Sequence, residues 1–180
     1  MPLKNTDKTY GWVARSMHWV SAITVLGLFC LGLWMRSLDY YHPWYTKAPD
    51  LHRSIGVILI IFTLLRLSWR SLNVKPAMEP GPIWQLNLAR FIHGLLYIWF
   101  FFMLASGYLI STAKGQGLEV FNWFVIPAVI TGIDNMEDAA GEVHFYLALG
   151  FIGLICLHAG AALFHHFIKR DNTLRKMLGR

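Results

Sequence analysis

The chemistry of this 180-residue chain is concentrated in its histidines. Of the eight, seven (His18, His52, His93, His144, His158, His165 and His166) fall within or at the ends of long apolar stretches, and only His42 sits in a clear loop. An ionisable ring inside such a stretch is costly to bury and is kept there for ligation, proton exchange or a hydrogen bond between helices. One such residue alone reads as a helix–helix contact; seven ask for more. Imidazole is a good iron ligand, and two imidazoles from facing helices can hold a flat macrocycle between them. His144 and His158 are 14 residues apart, close to four whole helical turns, so both point to nearly the same face at depths roughly 21 Å apart. One helix thereby offers two ligands at two depths.

The elements that must carry these rings are four apolar spans, at about 17–36, 52–69, 91–111 and 143–167. Each is near the roughly 20 residues a bilayer crossing needs, and each must be helical because lipid offers the backbone no hydrogen bonds. The expected architecture is an all-α, integral membrane four-helix bundle in a single domain, 1–180. The composition agrees: 56% of the residues are hydrophobic and 14% charged, against about 25% charged in ordinary soluble domains. The first sixteen residues are polar and the run after them is long enough to span, so it reads as a retained helix and not as a cleaved leader. Between the spans, 40–50 holds Pro43 and Pro49 and is expected to lie outside any helix, with Asp50 as N-cap of the second. Pro76, Pro80 and Gly81 mark the next loop. The long connection 112–142 contains an apolar stretch at 120–130 that is too short to cross; it is expected at the interface or over the helix ends. Most of the eight tryptophans lie near span ends, as an aromatic belt requires.

Charge orients the spans. Eleven basic residues flank one side and four the other, which also carries seven acids. The positive-inside rule then puts both termini in the cytoplasm. The net charge of +6 is explained by this topology, and no nucleic-acid partner is needed. Cys30 and Cys156 both lie in apolar runs, and the chain has no Cys-x-x-Cys-His, so covalent haem attachment is not expected.

Topology suggests the pairs. His52 opens the second span and His144 the fourth, on the outer side; His18 and His158 lie toward the cytoplasm. Depth alone leaves the inner pair open, because His93 and His165 match His18 or His158 about as well. Arg53 and Arg66 are candidate partners for haem propionates, or else snorkel to headgroups. Ala159, Gly160, Ala161 and Ala162 beside His158 permit close approach of a flat ring, as they also permit tight helix packing.

Several of these residues stand in a familiar arrangement. Arg-Ser-Met-His18-Trp, Leu-His52-Arg-Ser-Ile-Gly, His144, the run from His158 through Ala-Gly-Ala-Ala-Leu-Phe to His165-His166, and the closing Lys-Arg-Asp-Asn-Thr-Leu make the chain resemble the bacterial cytochrome b561 family over nearly its whole length. It departs from that pattern at Lys169, where the family often has an aromatic residue. The resemblance implies two non-covalent haems b with His18, His52, His144 and His158 as axial ligands, and it decides for His158 over His165. It also implies a place in the bacterial inner (plasma) membrane, a quinone as substrate, and electron exchange with an outer donor or acceptor: a periplasmic redox protein or superoxide. The histidines left over, His165 first and then His93 and His166, are candidates to line a quinone pocket at the cytoplasmic side, or else cap helix carbonyls and headgroups at the interface. The activity expected is that of a quinone-linked oxidoreductase, such as a superoxide:quinone oxidoreductase. The alternatives are a cytochrome anchor subunit for a periplasmic redox protein, and a histidine-lined metal transporter that would show no haem spectrum.

Overall fold

The structure, a computed structural model, describes residues 2–179. Four long helices dominate it: α1 (Trp12–Met35), α2 (Lys47–Leu72), α3 (Ile83–Thr112) and α4 (Met136–Phe164). All four are long and apolar enough to cross a membrane. Their apolar residues are not gathered into one buried core. Ile23, Phe102 and Leu157 are each more than 60% exposed, a surface that water would penalise and acyl chains accept. The fold is therefore mostly helical, as expected. A short antiparallel hairpin, β1 (Leu118–Val120) and β2 (Phe124–Ile126), and a terminal helix α5 (Thr173–Leu178) complete it.

The helices are longer than their apolar stretches. α2 begins at Lys47, so Pro49 and Asp50 lie inside its first turn and Asp50 is not the cap. Proline fits there because the first N–H groups of a helix have no partner to lose. Asp50 instead puts its charge near the positive end of the helix dipole and pairs with Arg53 at 2.7 Å.

The contacts divide the chain into two compact units, and each long helix contributes to both. One unit takes the described residues through Ser21, Phe62–Trp99 and the residues from Gly150 on. In it the N-terminal segment, the α2–α3 loop and the C-terminal segment are tied to one another. Asn5 Nδ2 donates to the Val74 carbonyl (2.9 Å), Lys176 pairs with Glu79 and donates to the Ala77 carbonyl (both 2.7 Å), and Trp19 Nε1 donates to the Met177 carbonyl (3.0 Å). These are the three segments that carry the excess basic charge.

The other unit is Ala22–Ile61 and Phe100–Leu149. Here the apolar stretch at 120–130 becomes half of the hairpin. Val120 is fully buried and clusters with Leu118 and Val57 of α2, with Tyr108 and Ile126 packed alongside. The Phe121 N–H donates to Ser54 Oγ (3.2 Å), and the Tyr108 hydroxyl donates to the Pro127 carbonyl (2.7 Å). Phe121 and Asn122 at the turn both have positive φ (48° and 58°), the pattern of a type I′ turn.

Candidate functional site

The unit built from Ala22–Ile61 and Phe100–Leu149 contains one histidine pair. His52, in the second turn of α2, and His144, in α4, have ring centroids 6.2 Å apart with planes at 75°. His144 is held from α3. Its Nδ1 lies 3.0 Å from the Met103 carbonyl and 3.1 Å from Ser106 Oγ, and the Ser106 hydroxyl itself donates to Met103 (2.7 Å). A carbonyl only accepts, so Nδ1 carries the proton and Nε2 carries the lone pair. Two glycines make room for the rings. A Cβ at Gly32 would stand 3.3 Å from His52 Cε1, and one at Gly107 would stand 3.2 Å from His144 Cε1. The His52 Nδ1 is buried without a hydrogen-bond partner. Arg53 spends Nη2 on Asp50 and keeps a buried, unpartnered Nε. Arg36 lies over the Phe145 ring at 4.1 Å.

The other unit contains the second pair. His18 of α1 and His158 of α4 have ring centroids 6.4 Å apart with planes at 68°. Arg66, from α2, donates through Nη2 to His18 Nδ1 (2.9 Å). Its guanidinium also lies over the Tyr97 ring at 5.8 Å. His93 comes closer to His158, at 5.1 Å edge to face. Gly160 has open space where its Cβ would be.

These spacings have a chemical meaning. Two imidazoles that each place a nitrogen about 2 Å from one metal on opposite sides have ring centres roughly 6 Å apart. Both pairs meet this condition; the 5.1 Å of His93 and His158 is too short for it. Among the described residues no three His, Cys, Asp or Glu side chains converge on a common metal position. Paired ligands with a gap suit a metal whose remaining bonds come from a macrocycle of its own. The residues thus fit a bis-histidine haem: spacing, a fixed tautomer at His144, and glycine clearance beside the rings.

His165 belongs to neither pair. It opens a π-helical turn (His165–Lys169) that continues α4, and its Nδ1 meets Asp171 Oδ2 at 2.5 Å. His166 is half-buried with an unpartnered Nδ1. Lys169 donates to Gln85 Oε1. Sequence reasoning missed Ser106, the Met103 carbonyl, Gly32, Gly107 and Asp171. The adjacent Ser106-Gly107 in an apolar helix was a readable signal for the first of these, since small residues mark close helix approach.

The whole-chain comparisons agree with one another. The family model described as Prokaryotic cytochrome b561 matches residues 9–180. Cytochrome b561 homolog 2 of Escherichia coli (strain K12) is 44% identical, over 100% of this chain and 96% of its own length. Cytochrome b561 homolog 1 of the same organism is 27% identical over 91% and 93%. The probable superoxide oxidase CybB of Yersinia pestis is 26% identical over 95% and 96%.

Proposed function

Because the chain belongs to the prokaryotic cytochrome b561 family, we propose that it holds two b-type haems, one in each compact unit, and passes electrons between an outer redox partner and the quinone pool. Membership itself makes it a multi-pass prokaryotic membrane protein that binds b-type haem and carries electrons. The observation that carries the finer reading is the repeated pair: His52 with His144 and His18 with His158, their ring centres 6.2 and 6.4 Å apart. Held between two imidazoles, a haem would exchange single electrons and would leave no ligand position for oxygen.

The chain's own residues do the rest. Met103 and Ser106 fix the His144 tautomer, which leaves Nε2 as the ligating atom and raises its basicity. His18 would hold the haem through Nε2 with its proton on Nδ1, and Arg66, now 2.9 Å from that nitrogen, would then be free to pair with a propionate. The unpartnered Arg53 Nε, one residue from His52, would be the corresponding donor at the other haem. His165 we assign to the quinone, which it can meet through Nε2 because Nδ1 is committed to Asp171. Eleven basic residues against four support a placement in the inner (plasma) membrane with cytoplasmic termini. Superoxide is the outer substrate that the relative's name favours, and Arg36 and Arg53, in the unit of His52 and His144, would attract an anion.

The test is the reduced-minus-oxidised spectrum of detergent-purified protein, with pyridine-haem quantitation, for the wild type and the His18→Ala, His52→Ala, His144→Ala and His158→Ala variants. Two low-spin haems b per chain are expected, with each substitution removing or disturbing one. One haem per chain, or haem content indifferent to these four residues, would overturn the assignment and return His93 and His165 to consideration.

A further inference from the structure

We propose that Asp171 is a positioning residue for the quinone reaction, fixing His165 by Nδ1 so that Nε2 is the nitrogen that exchanges a proton with a quinone oxygen. The proposal rests on the assignment of His165 to the quinone made above and adds the group that prepares it.

The geometry starts with how α4 ends. In a regular α-helix a residue six positions on lies about 9 Å further along the axis and on another face, out of reach of the first. Here the last turn opens into a π-helix over His165–Lys169, and Arg170 adopts the left-handed conformation at φ 57°. The N–H groups of Arg170 and Asp171 both return to the His165 carbonyl. The chain therefore doubles back, and the Asp171 carboxylate comes to lie against the His165 ring instead of pointing away. Single π-helical turns of this kind recur at functional sites.

The carboxylate is committed at both oxygens. Oδ2 takes His165 Nδ1 at 2.5 Å, and Oδ1 accepts the Thr173 N–H at 2.9 Å. Neither side chain is fully exposed, at 28% for His165 and 17% for Asp171. Partial burial opposes ionisation of Asp171, but the hydrogen bonds from His165 and Thr173 outweigh it and hold the carboxyl below its ordinary range. An ionised carboxylate only accepts, so Nδ1 carries the proton. Nε2 then bears the lone pair in the neutral ring and the second proton in the imidazolium, whose charge Asp171 balances. Lys169 and Lys176, on the same C-terminal segment, are engaged with Gln85 and Glu79.

Reduction of a quinone to its hydroquinone takes two electrons, supplied by the cytochrome activity, and two protons. In the step assigned here, the Nε2–H bond of the imidazolium breaks and an O–H bond forms on the quinone oxygen as it is reduced. The ring is left neutral and takes its proton back from water; the second proton also comes from water. A group held this way contributes about 10²- to 10⁴-fold in proton-transfer reactions generally.

The experiment uses full-length, haem-loaded protein with 15N-labelled histidine, as wild type, His165→Gln, Asp171→Ala and Asp171→Glu. The His165 tautomer is read by 15N–1H correlation on the reduced, low-spin protein, the His165→Gln spectrum identifying the ring. Reoxidation of pre-reduced protein by a short-chain benzoquinone is followed by visible absorbance in stopped flow. In Asp171→Ala the ring is expected to leave the Nδ1–H tautomer. The saturating rate should fall about tenfold or more, with the half-saturating quinone concentration changed less than about twofold; Asp171→Glu should restore both readouts in part. An unchanged tautomer or an unchanged rate in Asp171→Ala, with His165→Gln slow, overturns the positioning role while the quinone assignment stands. Wild-type reoxidation in His165→Gln, or none by quinone in the wild type, overturns the quinone assignment and this proposal with it.

Discussion

Adding one methyl group at Gly107 should weaken one haem site and leave the other alone. A Cβ there would stand 3.2 Å from His144 Cε1 and 3.4 Å from Nδ1, against an ordinary contact of 3.4–4 Å. The ring has little freedom to retreat, because its Nδ1 is bound to the Met103 carbonyl at 3.0 Å and to Ser106 at 3.1 Å. Overpacking of this kind costs about 1–3 kcal/mol. At about 1.4 kcal/mol per factor of ten, haem affinity at the His52–His144 site should fall roughly 5- to 150-fold. The opposing gain, helix propensity of alanine over glycine, is about 1 kcal/mol and acts on the apo and loaded protein alike. Gly27→Ala isolates that gain, since a Cβ at Gly27 meets nothing within 4 Å. The assay is haem transfer to an excess of apo-acceptor, with pyridine-haem content measured before and after. Gly107→Ala should lose one haem per chain faster than wild type, Gly107→Val should purify with one, and Gly27→Ala should keep two. Two haems of wild-type retention in Gly107→Val would refute the claim that the His144 ring, so placed, is a ligand.

Two further outcomes follow from other parts of the fold. Ser54→Ala removes the acceptor of the Phe121 N–H at the hairpin turn. Ser54 is buried, so the N–H loses its acceptor and the cost should be about 1–3 kcal/mol, read as faster proteolysis within 113–135; wild-type cleavage would count against the hairpin's attachment. Asp171→Asn tests the carboxyl held below its ordinary range. A depressed folded value contributes stability that is complete above the unfolded value of about 3.9 and is lost as pH falls through the folded one. The wild type should therefore melt above Asp171→Asn near pH 7, and the two should converge once the pH has fallen through the folded carboxyl value; a gap that persists at that acidity would contradict the pairing.

The four helices were legible because a span in lipid must close its own backbone hydrogen bonds, so long apolar runs admit one conformation. Their ends were less so. Pro49 and Asp50 read as a loop and a cap, yet both lie inside α2, because the first turn of a helix tolerates what its middle does not. The hairpin was hidden as well. Its turn is Phe121-Asn122 and not the Asn-Gly that would announce it, and its strands of three residues each are too short for alternation to register.

Within the sites, the residue types and their depths came from the sequence alone: eight histidines, seven of them in apolar surroundings, with His144 and His158 four turns apart on one face. Depth also suggested His52 with His144, but it left the inner pair open among His18, His93, His158 and His165. Depth along a span follows from counting residues, but which rings oppose one another depends on how each helix is rotated about its axis, and that is set by packing against residues far away in the chain. Ser106 meets His144 from 38 positions away, and Arg66 meets His18 from 48. The same holds at the end of α4. There His165 and His158 share a stripe in the sequence, but one turn of π-helix and a left-handed Arg170 give His165 to Asp171, while His158 stands 6.4 Å from His18. Composition determined that the chain would span a membrane with imidazole inside it. Only tertiary structure gave the pairs their spacing, because a gap of about 6 Å between two rings is a property of two helices at once.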